Sequence, residues 1–187
     1  MATHNANRNR LIEIVKARSF STGAEIKLVS GRSSSFYFNM KPTMLDAEGA
    51  YLIATLVLES IKGEDVDLVG GLEMGAVPLA SAVAVMSHTK GWPLQAFFVR
   101  KQAKEHGAKK LIEGLAPNET LQSKRVVILE DVTTTGGSSM KAVEAVKAEG
   151  GNIVRVISIV DRLEGAADSF KAAGVPFSAV LTIDDFR

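Results

Sequence analysis

The sequence predicts an α/β fold, a central and mainly parallel sheet flanked by helices, with a small added subdomain at the N-terminus. Three observations point that way. From Asp65 onward one cadence repeats: a short apolar run, a turn, then a helical pattern. The apolar runs are nearly continuous rather than alternating, as in strands covered on both faces. The helical segments between them end at glycines, and such alternation implies parallel strands joined by right-handed crossovers.

In chain order, the first 64 residues break the cadence. A helix is expected from about Asn9 to Ala17, an extended stretch with Ser-rich turn chemistry around Glu25 to Met40, and a second helix starting near Asp46. Residues 65–187 then form the α/β core. Its strands are expected at Val66–Val69, Leu94–Val99, Val126–Leu129, Ile153–Val160 and Phe177–Leu181. Its helices are expected at Gly75–His88, Ser138–Glu149 and Glu164–Ala173, closed by Gly91, Gly150 and Gly174. The long connection Gln102–Asn118 contains no expected strand or helix, and a loop of that length in a compact domain is usually a functional lid or disordered.

Composition narrows the function. A chain of 187 residues with 46% hydrophobic content buries one substantial core, which predicts a single domain. Basic and acidic residues, 22 against 21, leave a formal charge of +1, so no global field favours nucleic acid or an anionic membrane as partner. Any anion site is local. With no cysteine there is neither a disulfide framework nor a thiolate metal site. Met1 to Arg18 lacks the apolar core of a secretory signal, and no stretch reaches the roughly 18 apolar residues of a membrane span. A cytoplasmic setting is expected.

The most informative segment runs from Val126 to Ser139. Four apolar residues deliver Glu130 and Asp131 to a hydroxyl- and glycine-rich turn, Thr133-Thr134-Thr135-Gly136-Gly137-Ser138, that opens a helix. In open α/β sheets ligands bind at the carboxyl ends of strands. The hydroxyls can donate to a phosphate, while the glycines let backbone amides approach it at the positive end of the helix. Two carboxylates have no place beside a bare phosphate, but they suit a ligand with vicinal hydroxyls or a divalent metal. A ribose 5-phosphate meets both requirements. Neither a Walker A loop nor a G-x-G-x-x-G fingerprint is present. A second segment, Arg100-Lys101-Gln102-Ala103-Lys104-Glu105-His106, places four potential cations at the start of the long connection, where they could close over an anionic ligand.

The strand, acid pair and Thr/Gly turn resemble the phosphoribosyl pyrophosphate signature of type I phosphoribosyltransferases, and Arg100-Lys101-x-x-Lys104-x-His106 resembles the mobile catalytic loop of the orotate phosphoribosyltransferases. Ser30-Gly31-Arg32 with the aromatic pair Tyr37-Phe38, and Asp161-Arg162, are similar to that family's elements near the base. The resemblance runs over nearly the whole chain, with the motifs in family order. It implies the type I fold with residues 1–64 as a hood, and transfer of the phosphoribosyl group to orotate in pyrimidine synthesis. It further implies Mg2+ bound mainly through the pyrophosphate substrate rather than in a protein cage, and a homodimer whose loops complete each other's sites. By the same resemblance Lys104, Glu130 and Asp131 are the catalytic residues. Arg100, Lys101, Lys104, His106, Glu130, Asp131, Val132, Thr133, Thr134, Thr135, Gly136, Gly137 and Ser138 bind phosphoribosyl pyrophosphate, and Thr134, Arg162, Tyr37 and Phe38 face orotate.

The chain departs from the family pattern in three places. Val29 and Met74 stand where some members carry lysines, and whether Lys27 or Lys41 takes either role is left open by the sequence. Glu130-Asp131 replaces the commoner Asp-Asp. Two other readings share parts of the pattern. A purine phosphoribosyltransferase would share the turn but not the cationic loop or Arg162, and a non-catalytic sensor of phosphoribosyl pyrophosphate would be expected to add a nucleic-acid-binding surface.

Overall fold

The structure, a computed structural model, describes residues 2–27, 33–102 and 111–187. Helix α1 (Ala2–Arg18) leads into the antiparallel strands β1 (Phe20–Lys27) and β2 (Ser33–Phe38), then the short α2 (Lys41–Met44) and α3 (Ala47–Ser60). Asp46 caps α3 by accepting the Gly49 N–H, one of the donors that a helix start leaves without a partner. Next come β3 (Leu68–Gly70), α4 (Ala76–Thr89), β4 (Gln95–Ala96) and the antiparallel pair β5 (Phe98–Val99) and β6 (Ile112–Glu113). The chain continues through β7 (Arg125–Thr133), α5 (Gly137–Ala148), β8 (Asn152–Asp161), α6 (Ala166–Ala172) and β9 (Phe177–Thr182), ending in a 3-10 turn at Ile183–Phe186.

Five strands form one parallel sheet in the order β4-β3-β7-β8-β9. β7 lies at its centre, and its pleat sends consecutive side chains to opposite faces. Val127 and Leu129 join Leu11, Val15, Leu52, Val57 and Val83 in a cluster under α1, α3 and α4. Val126 and Ile128 join Ala142, Val143, Val146 and Phe170 under α5 and α6. Both faces are therefore dry, which explains why the run Val126–Leu129 is apolar at every position. The glycines expected to close α4, α5 and α6, Gly91, Gly150 and Gly174, have φ of +79°, +77° and +66°. That left-handed conformation strains residues with a Cβ.

Three expectations are corrected. The run Leu94–Val99 is not one strand. It divides into β4, which extends the parallel sheet, and β5, which turns away to pair with β6. Consequently the connection Gln102–Asn118 does contain a strand, and its base is zipped by an antiparallel ladder that the Arg100 N–H to Leu111 oxygen bond of 2.8 Å extends. The first helix begins at Ala2 instead of near Asn9. Its leading turns lack apolar periodicity and are held by side-chain contacts, His4 to Glu59 at 2.7 Å and Arg8 to Asp185 at 2.7 Å.

Phe170 ties the fold to the end of β7. It is fully buried, stacks on Phe177 with ring centroids 4.8 Å apart, and lies against Gly136 at the head of α5. We expect Phe170→Ala to lower the free energy of unfolding by about 3–5 kcal/mol, as other Phe deletions from packed cores do. Urea denaturation measures this, and a loss under about 1 kcal/mol would show that α6 does not anchor the layer.

Candidate active site

At its carboxyl end β7 stops being apolar while keeping its alternation. Glu130, 7% exposed, follows Val126 and Ile128 onto the α5 face, where its Oε2 accepts the Ser139 hydroxyl at 2.7 Å. Burial pushes its carboxyl up to about 8, opposed by the Ser139 hydrogen bond and assisted by the Asp131 charge. Asp131 turns the other way, toward the loop that enters α4. There it meets Gly75, on which a Cβ would sit 2.5 Å from Asp131 Oδ1, so only a glycine lets this loop come so close. The Val132 N–H donates to the same oxygen at 3.0 Å.

Beyond the acids the chain turns through Thr134, Thr135 and Gly136. Gly136 has φ +86°, and a Cβ there would lie 3.0 Å from the Phe170 ring, so glycine is required for two reasons. α5 begins with no side-chain cap. Its first amides and the positive end of its dipole are therefore directed at whatever the turn encloses. Thr135, Gly137 and Ser138 are exposed and Thr134 is half-buried, as a phosphate cradle needs. Thr133 departs from the expected set. It is buried, its hydroxyl has no hydrogen-bond partner among the described residues, and its carbonyl accepts the Arg162 N–H at 2.9 Å.

β8 brings the second half of the site alongside. Thr133 pairs with Asp161 across the sheet, which places Arg162 beside the turn. Asp161 is buried and accepts the Leu163 N–H at 2.9 Å, and burial raises its carboxyl above the ordinary value. Arg162, 5% exposed, lies 4.5 Å over the Phe36 ring and pairs with Glu164 at 2.7 Å. A guanidinium stacked on a ring and held along one edge keeps a fixed orientation, which suits recognition of a planar carboxylate.

The aromatic pair read from the sequence is redistributed. Tyr37 is 43% exposed on the outer face of β2, while Phe38 turns into the core with ring centroids 4.9 Å from Phe20 and 5.0 Å from Phe186. The ring beside Arg162 is Phe36, which the sequence reading did not assign. Its signal was the strand period of two, since Phe36 and Phe38 share a face and Tyr37 does not.

Of the cationic loop, Arg100 and Lys101 are described, at the end of β5; Lys104 and His106 lie outside the described residues. Arg100 is half-buried, with its guanidinium 3.7 Å from Glu113. Lys101 is exposed, and its N–H donates to Glu73 Oε1 at 2.8 Å. Glu73 lies in the same loop as Gly75, and its peptide bond to Met74 is cis. One short loop thus touches both the acid pair and the base of the cationic connection. The sequence assigns no role in the site to Glu73, Gly75, Ser139 or Glu164, because each acts through a neighbour distant in the chain or in an unassigned turn.

The Glu130 and Asp131 carboxyls interact with each other, and among the described residues no group of three His, Cys, Asp or Glu could hold a metal. The donor set fits a cation that arrives on its ligand's oxygens, as Mg2+ does with phosphates. A cavity of about 470 Å³ opens at the opposite, amino ends of β3 and β4. Three of its polar lining residues are engaged, Asp67 with Arg125 and Gln95 with Glu119. The groups that point outward for a ligand are at the carboxyl ends.

The buried acid gives a pH test. With its carboxyl raised from 4.5 to about 8, native Glu130 keeps a proton that the unfolded chain releases, so stability falls as pH rises between those values. We expect Glu130→Gln to unfold near the wild-type temperature at about pH 5 and about 5 °C or more above it at about pH 9. A wild-type-to-variant difference that does not change with pH in thermal scans would contradict the burial argument.

Comparison with known proteins agrees with this geometry. A family model described as the phosphoribosyl transferase domain matches residues 43–185, from α2 through β9. The orotate phosphoribosyltransferase of Bradyrhizobium diazoefficiens is 60% identical over 181 residues, covering 97% of this chain and 96% of that protein. Among solved structures, the orotate phosphoribosyltransferase of Mycobacterium tuberculosis H37Rv in complex with Fe(III) dicitrate superposes with a TM-score of 0.82 at 38% identity, covering 96% of this chain and 98% of that one. The same enzyme in complex with 5-phospho-alpha-D-ribosyl 1-diphosphate gives a TM-score of 0.77 at 34% identity, covering 97% and 92%. With the acid pair, the glycine turn and the stacked arginine at adjoining strand ends, and with similarity along almost its whole length, the chain belongs to the orotate phosphoribosyltransferase family of phosphoribosyl transferase domains.

Proposed function

We propose that this protein transfers the 5-phosphoribosyl group from phosphoribosyl pyrophosphate to orotate, giving orotidine 5'-phosphate and pyrophosphate, a step of pyrimidine nucleotide synthesis in the cytoplasm. The observation that supports this most directly is the adjacency of two complementary half-sites. An uncapped, glycine-rich helix start beside two carboxylates suits a ribose phosphate, and a rigid arginine suits a flat carboxylate-bearing ring. Among the described residues no helix is long and apolar enough to cross a membrane.

In the reaction the bond from C1 of the ribose to pyrophosphate breaks, its electron pair leaves with the pyrophosphate, and a ring nitrogen of orotate forms the new bond as its N–H proton is released to solvent. Positive charge grows on the sugar and negative charge on the leaving group, so stabilising charge matters more than a covalent nucleophile. Asp131 lies where its carboxylate can favour the developing ribose cation, and Glu130 is held beneath the same ribose. Thr134, Thr135, Gly136, Gly137 and Ser138 hold the 5-phosphate. Arg162, with Thr134, orients the base. Arg100, Lys101, Lys104 and His106 take up the negative charge of the leaving group. Bound Mg2+, carried on substrate oxygens, supplies further neutralisation of the pyrophosphate. The connection that carries Lys104 and His106 serves to exclude water during the transfer.

An absorbance assay with orotate, uracil, hypoxanthine and adenine tests the reading directly, and turnover of a purine in place of orotate would overturn it. Arg162→Lys, which keeps the charge but not the fork, should raise the KM for orotate on the order of 10- to 100-fold, the equivalent of one charged hydrogen bond, with little change in the KM for phosphoribosyl pyrophosphate. Equal effects on both substrates would remove Arg162 from the base.

We further propose a twofold homodimer in which Lys104 and His106 of one subunit complete the site built on Asp131 and Arg162 of the other. Lys104→Ala and Asp131→Asn, each inactive alone, are unfolded and refolded together. Random pairing makes about half the dimers mixed and roughly a quarter of all sites fully competent, so activity should return from inactive parents. No recovery, with subunit exchange demonstrated, would mean that each loop serves its own subunit.

A further inference from the structure

Ser139 closes the segment Val126–Ser139 without a role assigned from the sequence, and it makes a buried contact with an acid of the pair. Its hydroxyl donates to Glu130 Oε2 at 2.7 Å, and the two residues are 1% and 7% exposed. On the same buried face of α5 the neighbours are Ala142, Val143 and Val146, all apolar. The helix gains nothing from a serine there. Its start is made by Gly136 without any side-chain cap, and serine is a poorer helix former than alanine.

A buried hydroxyl and a buried carboxyl each cost desolvation, and an apolar pair of the same shape would remove both costs. The pair therefore has a use other than stability. Glutamate has one more rotatable bond than aspartate, so a Glu at this position swings through more orientations unless something fixes it. The anchor is itself immobile, since Ser139 lies in the first turn of a helix whose start is wedged between β7 and the Phe170 ring.

We propose that Ser139 is a positioning residue for the transfer reaction, fixing the Glu130 carboxyl in the one orientation that serves the ribose at the end of β7. The proposal deepens the functional reading above and rests on it. Misplacing a catalytic group by a fraction of an ångström lowers the rate of the chemical step and leaves ground-state binding largely intact.

The test compares wild type, Ser139→Ala, Glu130→Gln and the double variant, measuring kcat and both KM values together with thermal unfolding. Ser139→Ala should lower kcat on the order of 10-fold, with either KM changed by less than about twofold. In the Glu130→Gln background the same change should lower kcat by less than about twofold, because the group being positioned is already gone. A merely structural serine would lower the unfolding temperature and kcat alike in both backgrounds, and that result overturns the proposal. An unchanged kcat in Ser139→Ala, or an effect confined to KM, also overturns it. If wild type fails to turn over orotate, the functional reading falls and the positioning role falls with it; if wild type is active and the two effects simply add, only the positioning role fails.

Discussion

A strand covered on both faces must point consecutive side chains into two different layers, and at the end of β7 those side chains are carboxylates. The pleat that places Val127 and Leu129 under α1, α3 and α4 carries Asp131 on toward the α4 loop, and the pleat that places Val126 and Ile128 under α5 buries Glu130 against Ser139. Adjacent acids thereby acquire different environments. Asp131 stays half-buried beside a glycine loop, while Glu130 is pushed up to about 8 by burial. Burial of Glu130, reinforced by the neighbouring Asp131, lets it keep its proton above the ordinary carboxylate range.

Everything around the acids depends on backbone coming unusually close to them. Gly75 admits the loop before α4 to the Asp131 carboxylate, and Gly136 admits the start of α5 to the Phe170 ring. Each glycine serves a packing contact on one side and a ligand-facing surface on the other. The same loop reaches Lys101 through Glu73, so the base of the cationic connection and the acid pair share one support. A displacement at either end of that loop is felt at the other.

The two cationic regions are built differently. Arg162 is buried, stacked on Phe36 and paired with Glu164, and its fixed orientation favours discrimination by shape. Arg100 and Lys101 sit at the rim, where the Arg100 guanidinium lies 3.7 Å from Glu113 and donates from Nε to the Gln102 carbonyl at 3.2 Å. Contacts of that kind add little to stability, and their side chains are correspondingly able to rearrange around a highly charged ligand. A fixed Arg162 and a looser Arg100–Lys101 pair match what the proposed transfer demands of its base and of its leaving group.

Continuous apolar runs and terminating glycines depend on local patterning, so the sequence by itself determined the parallel sheet, its helices and the place of Glu130, Asp131 and the Thr/Gly turn. The motif residues were legible for the same reason: phosphate cradles and acid pairs are contiguous in the chain. Tertiary structure alone decided what contacts distant in sequence impose. It divided Leu94–Val99 between two sheets, started α1 at Ala2 through contacts with Glu59 and Asp185, turned Thr133 inward, and exchanged Phe38 for Phe36 beside Arg162. It also joined Ser139 to Glu130, since a hydroxyl on a helix has no periodicity that reveals which strand it faces. Local pattern specifies which elements form; only their packing specifies which of two faces, and which neighbour, each side chain meets.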